Sequence, residues 1–391
     1  MSAPAPFPFP ECPGIAPAPE YDGLAERGRL VPVTLRSGAT ALLVHRHEDV
    51  CRVLTDPAFS RAAAARFGLT ARSPESLALN AADAPDHTRR RQVVAPAFTH
   101  RRIARLRPEI ERLTEDLLDR MAERGAPADL LADFAVPLTV EVGARLFGLS
   151  AEQVTRLLPL VERMMSTTAY GRSEVESAHH AMFAEFERHL ADRDPAAEDL
   201  LGPIAGAVRD GRLGANEAVH LAYGLLIASH ETTVNQLGAC ALLLLRDPEL
   251  AHTLRTEPEL LPDAVTEMLR FSSLNATGGV PHVVTEPVRL AGTDLAPGTV
   301  VLPATDGANR DPDVFARPHE LRLDRTDNPH VSFGKGRHRC LGAPLAQMEL
   351  EVALGALLRR LPTLRAALPE EELRWRTGMY VRGVRELPIT W

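Results

Sequence analysis

Asn216 to Arg246 reads as one helical run of about 30 residues, roughly 45 Å long. Its most apolar part spans Leu221 to Leu245. The centre of that part is His230-Glu231-Thr232-Thr233-Val234-Asn235-Gln236, which would be very costly in lipid. The run therefore predicts a helix buried in protein, in a cytoplasmic chain. Asp247-Pro248 ends it.

Around this rod the patterning is mostly helical. Asp86 to about Gly125 is helical and strongly basic, and further helices follow up to about Asp210. Short helices are expected over His47 to Leu54 and Ala264 to Phe271, and a longer one over Leu341 to Leu361. Val280 to Val301 alternates and carries Gly292, Pro297 and Gly298, so it predicts short strands with turns. Met379 to Trp391 predicts strand with a turn at Gly383. Residues 61–85 lack a steady period and read as a mobile loop. The expected fold is mainly α with a small β portion. An extended Pro-rich arm at 1–30 is expected to precede a single domain at 31–391. The 391 residues, 45% of them hydrophobic, suffice to bury a bulky cofactor.

The formal charge of -8 argues against a nucleic-acid or anionic-membrane binder. Met1 to Glu20 lacks a basic start and an apolar run, so no signal peptide is expected. Cys12, Cys51, Cys240 and Cys340 form no CxxC pair, which speaks against a zinc site and a disulfide framework. The absence of Cys-x-x-Cys-His excludes covalent haem attachment of the c type.

The segment Phe333-Gly334-Lys335-Gly336-Arg337-His338-Arg339-Cys340-Leu341-Gly342 carries the most chemistry. Its glycines let the backbone turn tightly and aim N–H groups inward. The cysteine precedes a helix, whose positive end favours thiolate over thiol. On the long helix, Ala228 and Thr232 lie four apart on one face. The Thr232 hydroxyl can bond back to the Ala228 carbonyl and open a groove there. Glu231 beside it suits a gate for protons.

The cysteine segment resembles the haem-binding loop of the cytochrome P450 family, and other marks of that family follow in order. Ala228-Ser229-His230-Glu231-Thr232-Thr233 is similar to its oxygen-activation motif. Glu267-Met268-Leu269-Arg270 is similar to its Glu-x-x-Arg helix. Asn309-Arg310-Asp311-Pro312, with Phe315 and Pro318, resembles its meander, and Asp86-His87-Thr88-Arg89-Arg90-Arg91 its propionate-facing helix. The resemblance covers roughly residues 30 to 391. It implies haem b, an iron ligated by Cys340, and Glu231, Thr232, Ala228 and Ser229 at the O2 site. It implies cofactor contacts from His87, Arg91, His338, Phe333, Gly334 and Gly342. Glu267–Arg270 is implied to be structural.

Three positions depart from the family pattern. Ser229 stands where Gly is usual. His282, in Val280-Pro281-His282-Val283, stands where many members carry an Arg to a propionate, and is expected to take that role. Glu320 replaces a meander Arg, so the Glu-Arg network is expected to find His319 or Arg322 instead. The resemblance implies a substrate pocket lined by Leu79, Leu225, Ala228, Asn275, Thr277, Val280 and Met379, with Phe67, Leu77 and Leu274 nearby. Apolar with a few hydroxyl and amide groups, it suits a polyketide or terpenoid intermediate. Ferredoxin and ferredoxin reductase are expected as electron donors, docking on Arg101, Arg102, Arg105, Lys335, Arg337 and Arg339. A peroxide-driven relative and a non-catalytic haem or ligand binder are the alternatives. Glu231-Thr232 argues against both.

Overall fold

The computed structural model describes residues 4–10, 14–69 and 79–391. Its helices run in order as α1 His47–Thr55, α2 Arg61–Arg66, α3 Asp86–Val94, α4 His100–Arg124, α5 Val136–Phe147, α6 Ala151–Met164 and α7 Arg172–Ala191. They continue as α8 Leu201–Arg209, α9 Ala215–Arg246, α10 Pro248–Thr256, α11 Leu261–Phe271, α12 Thr305–Ala308 and α13 Ala343–Arg360. The expected mainly α fold is what the chain adopts, and α9 is its axis. Helices α5, α7, α11 and α13 pack on α9, and α4 packs on α13. Tyr223, Leu226, Leu237 and Leu242 of α9 are all buried, so the rod is covered on every side rather than along one stripe. Asp247 ends α9, and its carboxylate caps α10 by accepting the Leu250 N–H at 3.0 Å.

A six-stranded sheet flanks the helices. Its order is β1 (Ala5–Phe7), β2 (Leu30–Leu35), β3 (Thr40–Val44), β9 (Val300–Pro303), β6 (His282–Val284), β4 (Phe59–Ser60), while β5 (Ala128–Asp129), β7 (Val288–Leu290) and β8 (Thr293–Leu295) belong to two smaller sheets. Strand β4 runs antiparallel to β6, with Phe59 opposite Val284 and Ser60 opposite Val283. Continued by one residue, that register sets Arg61 opposite His282.

Four local expectations change. The Pro-rich segment is not an arm apart from a domain at 31–391: β1 pairs in parallel with β2, and Phe7 and Phe9 are buried edge to face at 5.0 Å. Apolar rings this close to the sheet are better buried than left in water. Phe7 lies on Gly278, where a Cβ would stand 2.2 Å from its ring at a φ of +70°. Residues 61–66 are helix rather than loop, because the Ser60 hydroxyl accepts the Ala63 N–H at 2.8 Å and caps an alanine run. The basic segment from Asp86 is two helices, broken by a tight turn at Ala95–Phe98 that contains Pro96. In the tail only Pro388–Thr390 is regular strand, and residues 375–384 are held by single bridges such as Asn275 to Val381.

Candidate active site

The cysteine loop is folded by its glycines. Gly334 and Gly336 take φ of +68° and +67°. A Cβ on Gly336 would meet the Leu54 carbonyl at 2.8 Å, so only glycine lets the loop lie against α1. The Cys340 N–H donates to the Phe333 carbonyl at 2.7 Å and closes the turn. Cys340 then sits before α13, whose first N–H groups, from Gly342 and Ala343, face its sulfur. Its side chain is exposed although it lies deep in the fold, so it borders an internal space. Burial pushes its thiol up. The two N–H groups and the Arg91 and Arg339 guanidinium groups oppose that without overcoming it. The expected preference for thiolate is therefore only partly built into the protein. A bound metal would supply the rest, since a coordinating thiol is deprotonated outright.

On α9, Ala228 is exposed within an otherwise buried helix, and so borders internal space too. The Thr232 hydroxyl donates to the Ala228 carbonyl at 2.6 Å. Ser229 donates to the Leu226 carbonyl at 2.9 Å, which ties its hydroxyl to the helix. Glu231 points elsewhere. Its carboxylate accepts from Arg376 Nη1 at 2.5 Å and Nη2 at 3.5 Å, and from Asn235 Nδ2 at 3.2 Å. Arg376 also stands 3.8 Å from Glu162, whose side chain is 45% exposed. The preceding His230 is buried, its Nδ1 paired with the Thr139 hydroxyl at 2.8 Å, and burial lowers its pKa.

A third group gathers histidines and arginines from four separate segments. His87 on α3 and His338 of the cysteine loop have ring centroids 4.3 Å apart. Burial, with His338 and Arg91 nearby, pushes His87 down to about 4. His338 Nε2 is buried and has no hydrogen-bond partner among the described residues; the nearest carboxylate, Asp83, is 3.9 Å away. Arg91 donates to the Arg339 carbonyl at 2.9 Å, while Arg89 is taken by Glu217 of α9 through two bonds of 2.7 Å, and Arg90 by the same carboxylate. Asp83 lies beside His338 and accepts from the Ser60 hydroxyl and the Ala62 and Arg61 N–H groups, and together these hold its carboxyl low despite burial.

His282 does not sit as expected. Its Nδ1 meets the Val280 carbonyl at 2.9 Å, and its Nε2 accepts the Arg61 Nε–H at 3.2 Å. Both ring nitrogens are engaged, so His282 is not itself free to hold a propionate. Burial lowers its pKa far below the ordinary value, with the Arg61 charge adding to the effect.

The expected pocket residues lie on several separate segments. Leu225 and Ala228 are three apart on α9; Leu79, Asn275, Thr277 and Val280 are half-buried, and Met379 is buried beside Ser166. Thr277 donates its N–H and hydroxyl to Asn275 Oδ1 at 2.9 and 2.7 Å, so these polar groups largely satisfy each other. Phe67, at 68% exposure, faces solvent. Leu77 lies outside the described residues.

The meander network closes through a residue not anticipated. Arg270 clamps Glu267 with two bonds of 2.7 Å, and Glu267 also accepts from Arg325 Nε at 3.1 Å. Arg322 gives Glu267 only its backbone N–H, its side chain being taken by Asp324, and His319 lies at 4.0 Å from Asp22. The Arg325 guanidinium also lies over the Phe315 ring, its Cζ 5.6 Å from the centroid.

These groups fit a haem. No cluster of three or more His, Cys, Asp or Glu that could hold a metal occurs among the described residues, so Cys340 alone would hold iron and a macrocycle would supply the other ligands. The orphaned His338 Nε2 and the Arg91 guanidinium suit its buried carboxylates. Among the described residues no single helix is long and apolar enough to cross a membrane.

Known proteins agree. The sequence profile described as Cytochrome P450 matches residues 153–365. Nocardicin C N-oxygenase of Nocardia uniformis subsp. tsuyamanensis is 41% identical over 98% of both chains. Mycinamicin IV hydroxylase/epoxidase of Micromonospora griseorubida is 38% identical over 99% of both. The solved structure of HinD with NMFT and NO is 42% identical, covers all of both chains and superposes with a TM-score of 0.94. The chain is an enzyme, a monooxygenase, and it belongs to the cytochrome P450 family.

Proposed function

We propose that this chain carries haem b on Cys340 and uses O2 to hydroxylate or epoxidise a small secondary-metabolite intermediate, of the polyketide or terpenoid kind. The haem would supply oxygen activation, since thiolate ligation favours O–O cleavage. His87, Arg91 and His338 would meet its propionates, with Phe333, Gly334 and Gly342 shaping the loop beneath it. The protein must then deliver protons into an apolar space. The observation that carries this reading is the Thr232-to-Ala228 bond beside a buried Glu231. The hydroxyl is spent on a helix carbonyl, so an incoming water or oxygen that takes that carbonyl's place gains a donor. Glu231 is joined through Arg376 to the half-exposed Glu162, a chain from inside toward solvent. Rotation of Glu231 off Arg376 would carry a proton inward.

Two relatives are named for oxygenation of nocardicin C and mycinamicin IV, which supports a secondary metabolite as substrate. Ferredoxin, itself reduced by a ferredoxin reductase, is the proposed donor. Arg101, Arg105, Lys335 and Arg339 are exposed and have no ion-pair partner among the described residues, which suits an acidic partner.

The test is spectroscopic first. The reduced carbon monoxide complex should show the red-shifted Soret band of thiolate ligation, and Cys340→Ala should lose it. A folded, colourless protein that takes up no haem would overturn the reading. A ligand screen by spectral shift in which only long fatty acids bind would overturn the substrate class alone.

A further inference from the structure

Arg61 is a buried cation without a contacting anion; Asp83 acts on it only from beyond ion-pair distance. It is 8% exposed, and no carboxylate among the described residues lies within 4.0 Å of its guanidinium. Among the described residues its one side-chain hydrogen bond is the Nε–H to His282 Nε2 at 3.2 Å, and both Nη atoms are left over. A buried guanidinium in that state is expensive unless something charged meets it. The surroundings say where that something lies. His282 is the position at which an arginine to a propionate is expected, and the antiparallel register of β4 and β6 sets Arg61 directly across from it. Asp83, which holds the backbone of Arg61 and Ala62, also lies 3.9 Å from the orphaned His338 Nε2. Two buried, incompletely satisfied donors thus flank one carboxylate, and both belong to the histidine and arginine group described above.

We propose that Arg61 holds a haem propionate in place of the arginine replaced by His282, and that His282 is the positioning residue that aims it. The cation has moved across the ladder from β6 to the end of β4. His282, with Nδ1–H on the Val280 carbonyl, presents a bare Nε2 lone pair that fixes the Arg61 Nε–H. The guanidinium edge carrying the Nη atoms is then turned to the carboxylate, for which its fork geometry is suited. Burial lowers the Arg61 pKa to about 10, which still leaves it charged at neutral pH.

This inference rests on the haem reading above, and the experiment separates the two. Ferric protein is mixed with excess apomyoglobin and the rate of haem transfer is followed, with resonance Raman bands of the propionates as a second readout. Arg61→Ala should speed haem loss about tenfold or more, the loss of a charge-assisted hydrogen bond, and shift the propionate bands. Arg61→Ala with His282→Arg should return haem loss to near the wild-type rate, which a mere folding defect would not. His282→Ala should shift the same Raman bands while leaving the carbon monoxide spectrum intact. If wild type holds haem and Arg61→Ala loses it no faster, the clamp is wrong. If the double variant fails to recover, the exchange of roles between the two strands is wrong. If His282→Ala leaves the bands unmoved, His282 does not aim Arg61. A wild type that takes up no haem defeats this proposal together with the function it rests on.

Discussion

Two buried Glu–Arg pairs among the described residues use the same residue types and differ in what surrounds them. Glu267 receives Arg270 twice, Arg325, Asn328 and the Arg322 N–H, so its oxygens are saturated. Arg270 is wholly buried and spends its remaining donors on the Asn309, Pro318 and Glu320 carbonyls. Glu231 receives only Arg376 and Asn235, and Arg376 leans toward a half-exposed acid. A saturated pair has nowhere to send a proton and acts as a rivet between α11 and the meander. An unsaturated pair with an outward neighbour can change partners. The same two residue types thus serve stability in one place and chemistry in the other, and the count of remaining partners decides which.

The largest effect should come from cutting the saturated pair. Arg270→Ala takes two of five donors from a buried carboxylate and leaves three carbonyls without their guanidinium, and should cost about 3–5 kcal/mol. Urea unfolding of the haem-loaded protein would measure it, and a loss under about 1 kcal/mol would erase the distinction. Next, Glu231→Gln should leave the unfolding midpoint close to wild type while product formation falls about 100-fold. The rate should show a solvent isotope effect larger than that of wild type. A variant that unfolds as easily as Arg270→Ala would make Glu231 a second rivet.

A third buried acid sharpens the contrast by having no arginine at all. Glu349 on α13 is buried, its Oε2 lacks a partner among the described residues, and burial raises its pKa to about 8 from an ordinary 4.5. Below pH 4.5 both folded and unfolded chains hold that proton, so stability is full there. Between those values only the folded chain holds it. Stability therefore falls as pH rises, by at most ~1.4 kcal/mol per unit, and levels off above the folded value. Glu349→Gln should flatten that part of the stability–pH curve, and an unchanged slope would mean that the acid finds a partner. Smallest of all, Glu162→Gln removes an exposed neighbour. It should change stability by less than about 1 kcal/mol and turnover by about twofold to fivefold, read as a shift in the pH–rate profile.

The sequence made the local parts of this picture legible and hid the distant ones. Glu267 and Arg270 stand three apart, so their pairing follows from helix geometry. The Thr232 bond to Ala228 follows from a spacing of four. The cysteine loop declares itself because its constraints, two glycines and a helix start, lie within ten residues. Arg376 meets Glu231 across 145 positions, and Arg61 meets His282 across 221. No period or spacing carries such pairs; they exist only once the tail and the sheet are in place. Residues 61–66 are a different case. Their Ser60 cap and alanine run were visible, but the irregular stretch after them obscured the short helix. Arg325, rather than His319 or the Arg322 side chain, reaches Glu267, because nearness in sequence to Glu320 does not set nearness in space.

Phe7 resting on Gly278 has a practical side. The segment expected to line the substrate space, residues 274–280, is propped from behind by a ring that arrives from the other end of the sequence. An affinity tag or a shortened expression clone that pulls residues 5–7 off the sheet would empty the space behind Gly278. If residues 274–280 line the substrate space as proposed, selectivity as well as yield would then depend on how the gene is cut. Libraries that vary Asn275 and Thr277 to recruit new substrates should hold Phe7 fixed, or vary it with them.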